Sequence, residues 1–167
     1  MKEENASLTI VNDVIKQLNT FYNGDPWVTD NFRSRILSLN SEDALAKVDG
    51  HNHSIAQLVG HIAAWTNFAV QKLTGNDGYD IEDNSIVDWP AGGDWKNACD
   101  EFETAHKKLL VAIPDLPAEK WSAKVPGRNY TFIYLINGLL QHAWYHYGQI
   151  GSVLAAVNKK KASNIPI

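Results

Sequence analysis

The chain holds a single cysteine, Cys99. It can form no internal disulfide, and it excludes a CxxC zinc ribbon or redox pair. Positive charge is not in excess: 15 Lys+Arg against 19 Asp+Glu leave a formal charge of −4, opposite to the basic footprint of a nucleic-acid-binding domain. No stretch approaches the roughly 18 consecutive apolar residues of a membrane-spanning helix. The opening MKEENASLTIVNDVIKQL lacks the apolar run of about 7–15 residues that a secretory signal needs. No alternating strand pattern of useful length occurs either. These absences predict a cytoplasmic, all-α protein with no nucleic acid and no membrane among its partners.

The 167 residues suit one domain spanning 1–167, long enough to bury a core without disulfide staples. Hydrophobic residues make up 44% and charged ones 20%, the ratio of a globular and not a disordered chain. The conspicuous entries are six Trp and six His.

Four segments carry helical periodicity. The first covers about Asn5–Tyr22, with Leu8, Val11, Ile15 and Leu18 on one stripe, and stops at Gly24-Asp25-Pro26. One or two short helices are predicted at about 31–39 and 41–47. The second long helix starts near Ser54, an N-cap that Gln57 completes as a capping box, and stops at Gly75-Asn76-Asp77-Gly78. The third runs from the N-cap Asp94 to about Ile113, closed by Pro114 and Pro117; Pro117 opens one more helical turn. The fourth runs from about Thr131 to Asn158, and Lys159–Lys161 beyond it suit the negative end of a helix. Tyr79–Asp94 reads as a loop long enough to edge a site; its acids Asp80, Glu82, Asp83 and Asp88 are candidates to border the pocket, with a solvated loop as the plainer reading. Four long helices around one core predict a four-helix bundle with long connections.

His142 and His146 are four apart and share a helix face. Such a pair can chelate one ion, although Ala143 stands where a zincin has its general-base Glu. Leu135, Gln149 and Val153 follow the same face, so both histidines point inward, where unpaired polar groups cost on the order of 1–3 kcal/mol. His61 lies among Leu58, Trp65 and Phe68 and points inward too. Three histidines on facing helices, with one position open, form the donor set of a catalytic zinc site, and imidazole also suits nickel, copper or iron. Gln57 and Gln149 are candidates to orient a histidine or a water, and Trp65 is the expected wall. No residue presents itself as the catalytic acid or base. His51 and His53 read as exposed or capping residues, His106 as a boundary residue, and Cys99 as an inert core thiol.

Two motifs resemble the DinB/YfiT-like superfamily of metal-binding four-helix bundles: His53-Ser54-Ile55-Ala56-Gln57-Leu58-Val59-Gly60-His61-Ile62-Ala63-Ala64-Trp65, and His142-Ala143-Trp144-Tyr145-His146-Tyr147-Gly148-Gln149-Ile150. The stretch from Leu18 to Trp27 is similar as well, while Val28-Thr29-Asp30 departs from the Trp-His-Gly-like turn of many relatives. The resemblance covers most of the chain. It implies metal ligation by His61, His142 and His146, a divalent ion such as zinc or nickel, and a homodimer. The activities it implies are metal-dependent hydrolysis, or transfer or isomerisation with a low-molecular-weight thiol. The alternative is a non-catalytic metal- or ligand-binding, stress-associated bundle. Tyr134, Trp144, Tyr145 and Tyr147 cannot all face one narrow core, so some are candidates for a dimer interface.

Overall fold

The computed structural model describes residues 2–28 and 30–163, the side chains of 2–8 and 10 excepted. Thr29, the Leu8 side chain and residues 164–167 of the basic tail lie outside the described residues. The described chain is all-α, a helical bundle of six α-helices with no β-sheet. Four are long: α1 (Lys2–Tyr22), α4 (Ile55–Leu73), α5 (Trp95–Asp115) and α6 (Phe132–Ser163). Two short ones, α2 (Phe32–Leu37) and α3 (Ser41–Leu45), fill the first connection. The layout is thus more than a strict four-helix bundle. Ala118–Lys120 forms a 3-10 turn after Pro117, and the following turn is pinned by one isolated bridge between Lys124 and Thr131.

Local chemistry explains the boundaries. Ser54 caps α4 by accepting from the Gln57 N–H at 3.3 Å, while Gln57 Oε1 accepts from the Ser54 N–H at 3.2 Å. Asp94 caps α5 by accepting from the Asn97 N–H at 3.1 Å. These bonds satisfy amide donors that have no partner within the helix. Pro114 does not stop α5, which runs on to Asp115; only the final turn loses a backbone donor there, and Pro117 then ends the run. α6 extends to Ser163, past the expected Asn158, and its last turn carries Lys160 and Lys161 beside the negative helix end.

α4 is the central element. It packs most extensively against α5 and next against α6, which is why its residues are buried nearly all round. One part of the core is aromatic: Phe21, Phe32, Phe102 and Tyr147 meet with ring centroids 4.5–6.2 Å apart. The other is largely aliphatic, with Leu109, Ile113 and Ile136 around Phe68. Along α6, Tyr147 is buried and Trp144 half-buried, whereas Tyr134 and Tyr145 are exposed.

The loop between α4 and α5 folds back over α4. Gly92 has φ +67°, and a Cβ there would lie 2.5 Å from Gln57 Cγ. Only glycine combines that backbone with so close an approach. Asn84 takes a left-handed φ of 60°. The acids of this loop divide: Glu82 and Asp83 are exposed, Asp80 pairs with Arg128, and Asp88 is buried. The solvated reading therefore holds for Glu82 and Asp83 and fails at Asp88, which follows the other reading and borders a cavity.

Candidate metal centre

α4 supplies His61 and α6 supplies His142 and His146 from successive turns. The three Nε2 atoms converge: His142 Nε2 lies 2.9 Å from that of His61 and 2.9 Å from that of His146. His61 and His146 are each 5% exposed.

The outer nitrogens fix the protons. His61 Nδ1 donates to the Asp88 carbonyl oxygen at 2.7 Å and lies 3.1 Å from Asp88 Oδ1. Both atoms only accept, so Nδ1 carries the hydrogen and Nε2 presents a lone pair. His146 Nδ1 donates to Gln149 Oε1 at 2.6 Å, and the amide is oriented by its own donation to Tyr145 Oη at 3.0 Å. His146 Nε2 is a lone pair as well. With neutral rings, His142 Nε2 can carry at most one proton for its two neighbours. At least one 2.9 Å contact then sets lone pair against lone pair.

Protonation does not relieve this. The pKa values of all three rings are lowered, first by burial; for His142 the charges of His146 and His61 add, bringing it to about 3. A shared electron-pair acceptor suits this donor set: three neutral imidazoles, two of them held by outer hydrogen bonds, are what a divalent cation requires of its ligands. The residues fit the metal that the sequence implies, and the cluster is capable of coordinating a divalent ion.

The loop supplies the rest of the surroundings. Asp88 Oδ1 accepts from Trp65 Nε1 at 2.8 Å, and Oδ2 accepts from the Asn84 N–H at 2.8 Å. Trp89 is sandwiched between two imidazoles, 3.8 Å from His61 at 6° and 3.6 Å from His53 at 9°. Asp88 lines the cavity, as the reading of this acidic loop as a border of the pocket has it; Trp89 is the part that sequence reasoning missed, and no local pattern marks it.

The other candidates sort clearly. Trp65 lines a cavity together with His61 and His142, and Gln149 holds His146. Gln57 does neither: its side chain is spent on the capping box and on Lys47. His53 is half-buried in the Trp89 stack and caps nothing, since Ser54 is the N-cap; His51 is also half-buried. Both depart from the exposed or capping expectation. His106 packs against Tyr22 at 4.5 Å and Phe102 at 5.8 Å, fully inside. It is a core residue and not a boundary one. A larger cavity of about 840 Å³, bordered by Lys16, Arg35 and Trp144, lies between α1 and α6 and holds none of the three histidines. Size alone does not mark the site.

Fold and site together define a class: an all-α bundle with a three-histidine, metal-capable cluster bridging two long helices. The chain belongs to the DinB superfamily, whose sequence profile matches residues 27–150 and so takes in all three histidines. No curated protein and no solved structure matches the chain.

Proposed function

We propose that the protein is a divalent-metal-dependent enzyme acting on a small molecule, with His61, His142 and His146 as the metal ligands. Zinc or nickel is the ion in this reading, the reaction is hydrolysis or transfer to a low-molecular-weight thiol, and the protein works as a cytoplasmic homodimer. One observation carries it: three Nε2 atoms meet with fewer protons than their contacts need, while Asp88 and Gln149 hold the outer nitrogens. A bound divalent ion supplies a Lewis acid that makes a water or thiol more acidic.

The chain's own residues set the stage for that chemistry. The Asp88 carbonyl and Gln149 amide hold two imidazoles in the ligating tautomer. Trp89 stacks flat on His61 and keeps its ring from turning. Trp65, tied to Asp88, forms a wall of the cavity beside His61 and His142.

A second reading, metal or ligand binding without turnover, is favoured by the state of Asp88. It is the one carboxylate lining the cavity, and its oxygens are engaged by Trp65, His61 and Asn84. Each oxygen already accepts from the protein, which ties this carboxylate to positioning Trp65 and the loop.

Elemental analysis and metal titration of purified protein test the first step. One zinc or nickel per chain, lost in His142→Ala, supports the metal reading; no binding by the wild type ends it. Assays of the loaded protein on ester, amide and thiol-conjugation substrates test the second. Turnover abolished by His142→Ala supports an enzyme, and stoichiometric metal without turnover on any of the three leaves the binding protein.

A further inference from the structure

The histidine cluster opens into a cavity of about 330 Å³. That is near the lower end of small-molecule sites, room for roughly ten water-sized atoms at about 30 Å³ each. One substituted ring fills it. Beyond His61, His142 and Asp88, the lining is Trp65, Tyr130, Tyr134, Leu135, Gly138 and Leu139. No lysine or arginine is among these residues. Asp88 is already bonded on both oxygens. Away from the histidines, a charged group on the body of the guest would lose its water and meet no lysine or arginine, while Asp88 already has donors on both oxygens, which disfavours it. Ring faces and branched aliphatic side chains favour the opposite kind of guest.

Gly138 sharpens the point. It sits inside α6, where glycine weakens a helix. Yet a Cβ at Gly138 would meet no atom within 4 Å, and its φ is not in the left-handed region. Neither packing nor backbone conformation calls for glycine there. What its missing side chain does is leave the cavity open beside the histidines.

We infer that this cavity is the substrate pocket and that it takes a compact molecule with an uncharged aromatic or similarly apolar body, its reactive group directed at His61 and His142. The inference rests on the proposed reading of the cluster as the reactive centre. It also bears on the thiol: a low-molecular-weight thiol carrying several carboxylates finds no lysine or arginine among the lining residues, so the pocket receives the apolar partner of the reaction.

Ligand-observed NMR titrations of the metal-free full chain with benzyl alcohol, benzoate and benzylamine provide the test. The three probes share a ring and differ in charge. Benzyl alcohol is expected to bind at least tenfold more tightly than either ion. Gly138→Leu is expected to weaken it at least tenfold while zinc affinity stays within about threefold. Equal binding of either ion overturns the inference, and so does unchanged benzyl alcohol binding in a folded Gly138→Leu. The wild-type charge series decides the matter if that variant does not fold. Binding of benzyl alcohol without zinc breaks the reading of the cluster and leaves the pocket; zinc binding without benzyl alcohol breaks the pocket alone.

Discussion

His106 on α5 and His146 on α6 are almost equally hidden, at 2% and 5% exposure, and in both burial holds the imidazole neutral. Their surroundings have nothing else in common. His106 Nε2 is buried without a hydrogen-bond partner, pressed among the rings of Tyr22 and Phe102. His146 donates through one nitrogen to Gln149 and turns the other toward two more histidines. A lowered pKa is therefore not what separates a site from a core: His106 falls to about 4 and His142 to about 3. What separates them is whether the second nitrogen has been given a partner that fixes the first.

The strongest way to break this contrast is to remove one histidine from each side. His142→Ala takes away the nitrogen that the other two share. Its metal affinity is expected to fall by more than the roughly 10–100-fold that loss of an outer-shell partner costs. His106→Leu is expected to leave that affinity within about twofold. A competition titration against a chromogenic chelator reads both, and similar losses in the two variants would erase the distinction.

The next effect reverses the roles. In the unfolded chain His106 titrates near 6.5, and in the folded protein near 4. Below about pH 6.5 the unfolded state takes a proton that the native state refuses, so stability falls as pH falls and the loss is complete below about 4. The difference corresponds to about 3 kcal/mol at pH 4. Urea unfolding at pH 7 and pH 4 should show His106→Leu losing about 3 kcal/mol less than the wild type across that interval. An identical loss would mean that His106 is not titrating as a buried, unpartnered group.

A smaller effect separates two glutamines that look alike in the sequence. Gln149→Leu leaves the His146 N–H without its acceptor, and about tenfold weaker metal binding is expected. Gln57→Ala removes the capping-box partner of Ser54 and is expected to cost up to about 1 kcal/mol of stability with no change in metal affinity. Thermal melts and metal titrations on the same two proteins give the pattern, and it fails if Gln57→Ala weakens the metal.

This pair also shows how far the sequence could be read. His142 and His146 are legible because four residues of helix put both on one face whatever surrounds them. His61 and Trp65 follow from the same arithmetic on α4. The four long helices and the Ser54 and Asp94 caps are legible for the same local reason. Gln57 read both ways, as cap and as site, and the cap is what forms because its partner is three residues away. Asp88 was legible only as one of four acids on a loop that edges a site, and Trp89 was beyond reach. Their positions depend on a loop turning back through a left-handed Asn84 and the close approach of Gly92 to α4, contacts set by tertiary packing and not by any periodicity. His53 was misread for the same reason, since the ring it stacks on comes from that loop.

Cys99 extends the contrast to a second kind of group, with the smallest effect expected. It stands seven residues before His106, two turns back along α5 and close to the same face. It is half-buried against the aromatic part of the core. Burial, then the charges of Asp100 and Glu103, push its thiol up to about 11, so only about one molecule in ten thousand is thiolate at pH 7. Burial thus lowers an imidazole and raises a thiol on one helix and leaves both neutral. A free thiol near pKa 8.5 has several hundred times more thiolate, offset about tenfold by the greater nucleophilicity of the more basic sulfur. Alkylation of folded protein by iodoacetamide at pH 7.5 should therefore run at least about tenfold slower than that of a free thiol. Cys99→Ala should leave metal affinity unchanged. Fast alkylation, or a metal affinity that follows Cys99, would place a reactive thiol on α5 and move part of the chemistry away from the α4–α6 cluster. Slow alkylation with unchanged metal binding leaves the chain without a thiolate of its own, and a thiol reaction at this site would then draw its sulfur from a small molecule.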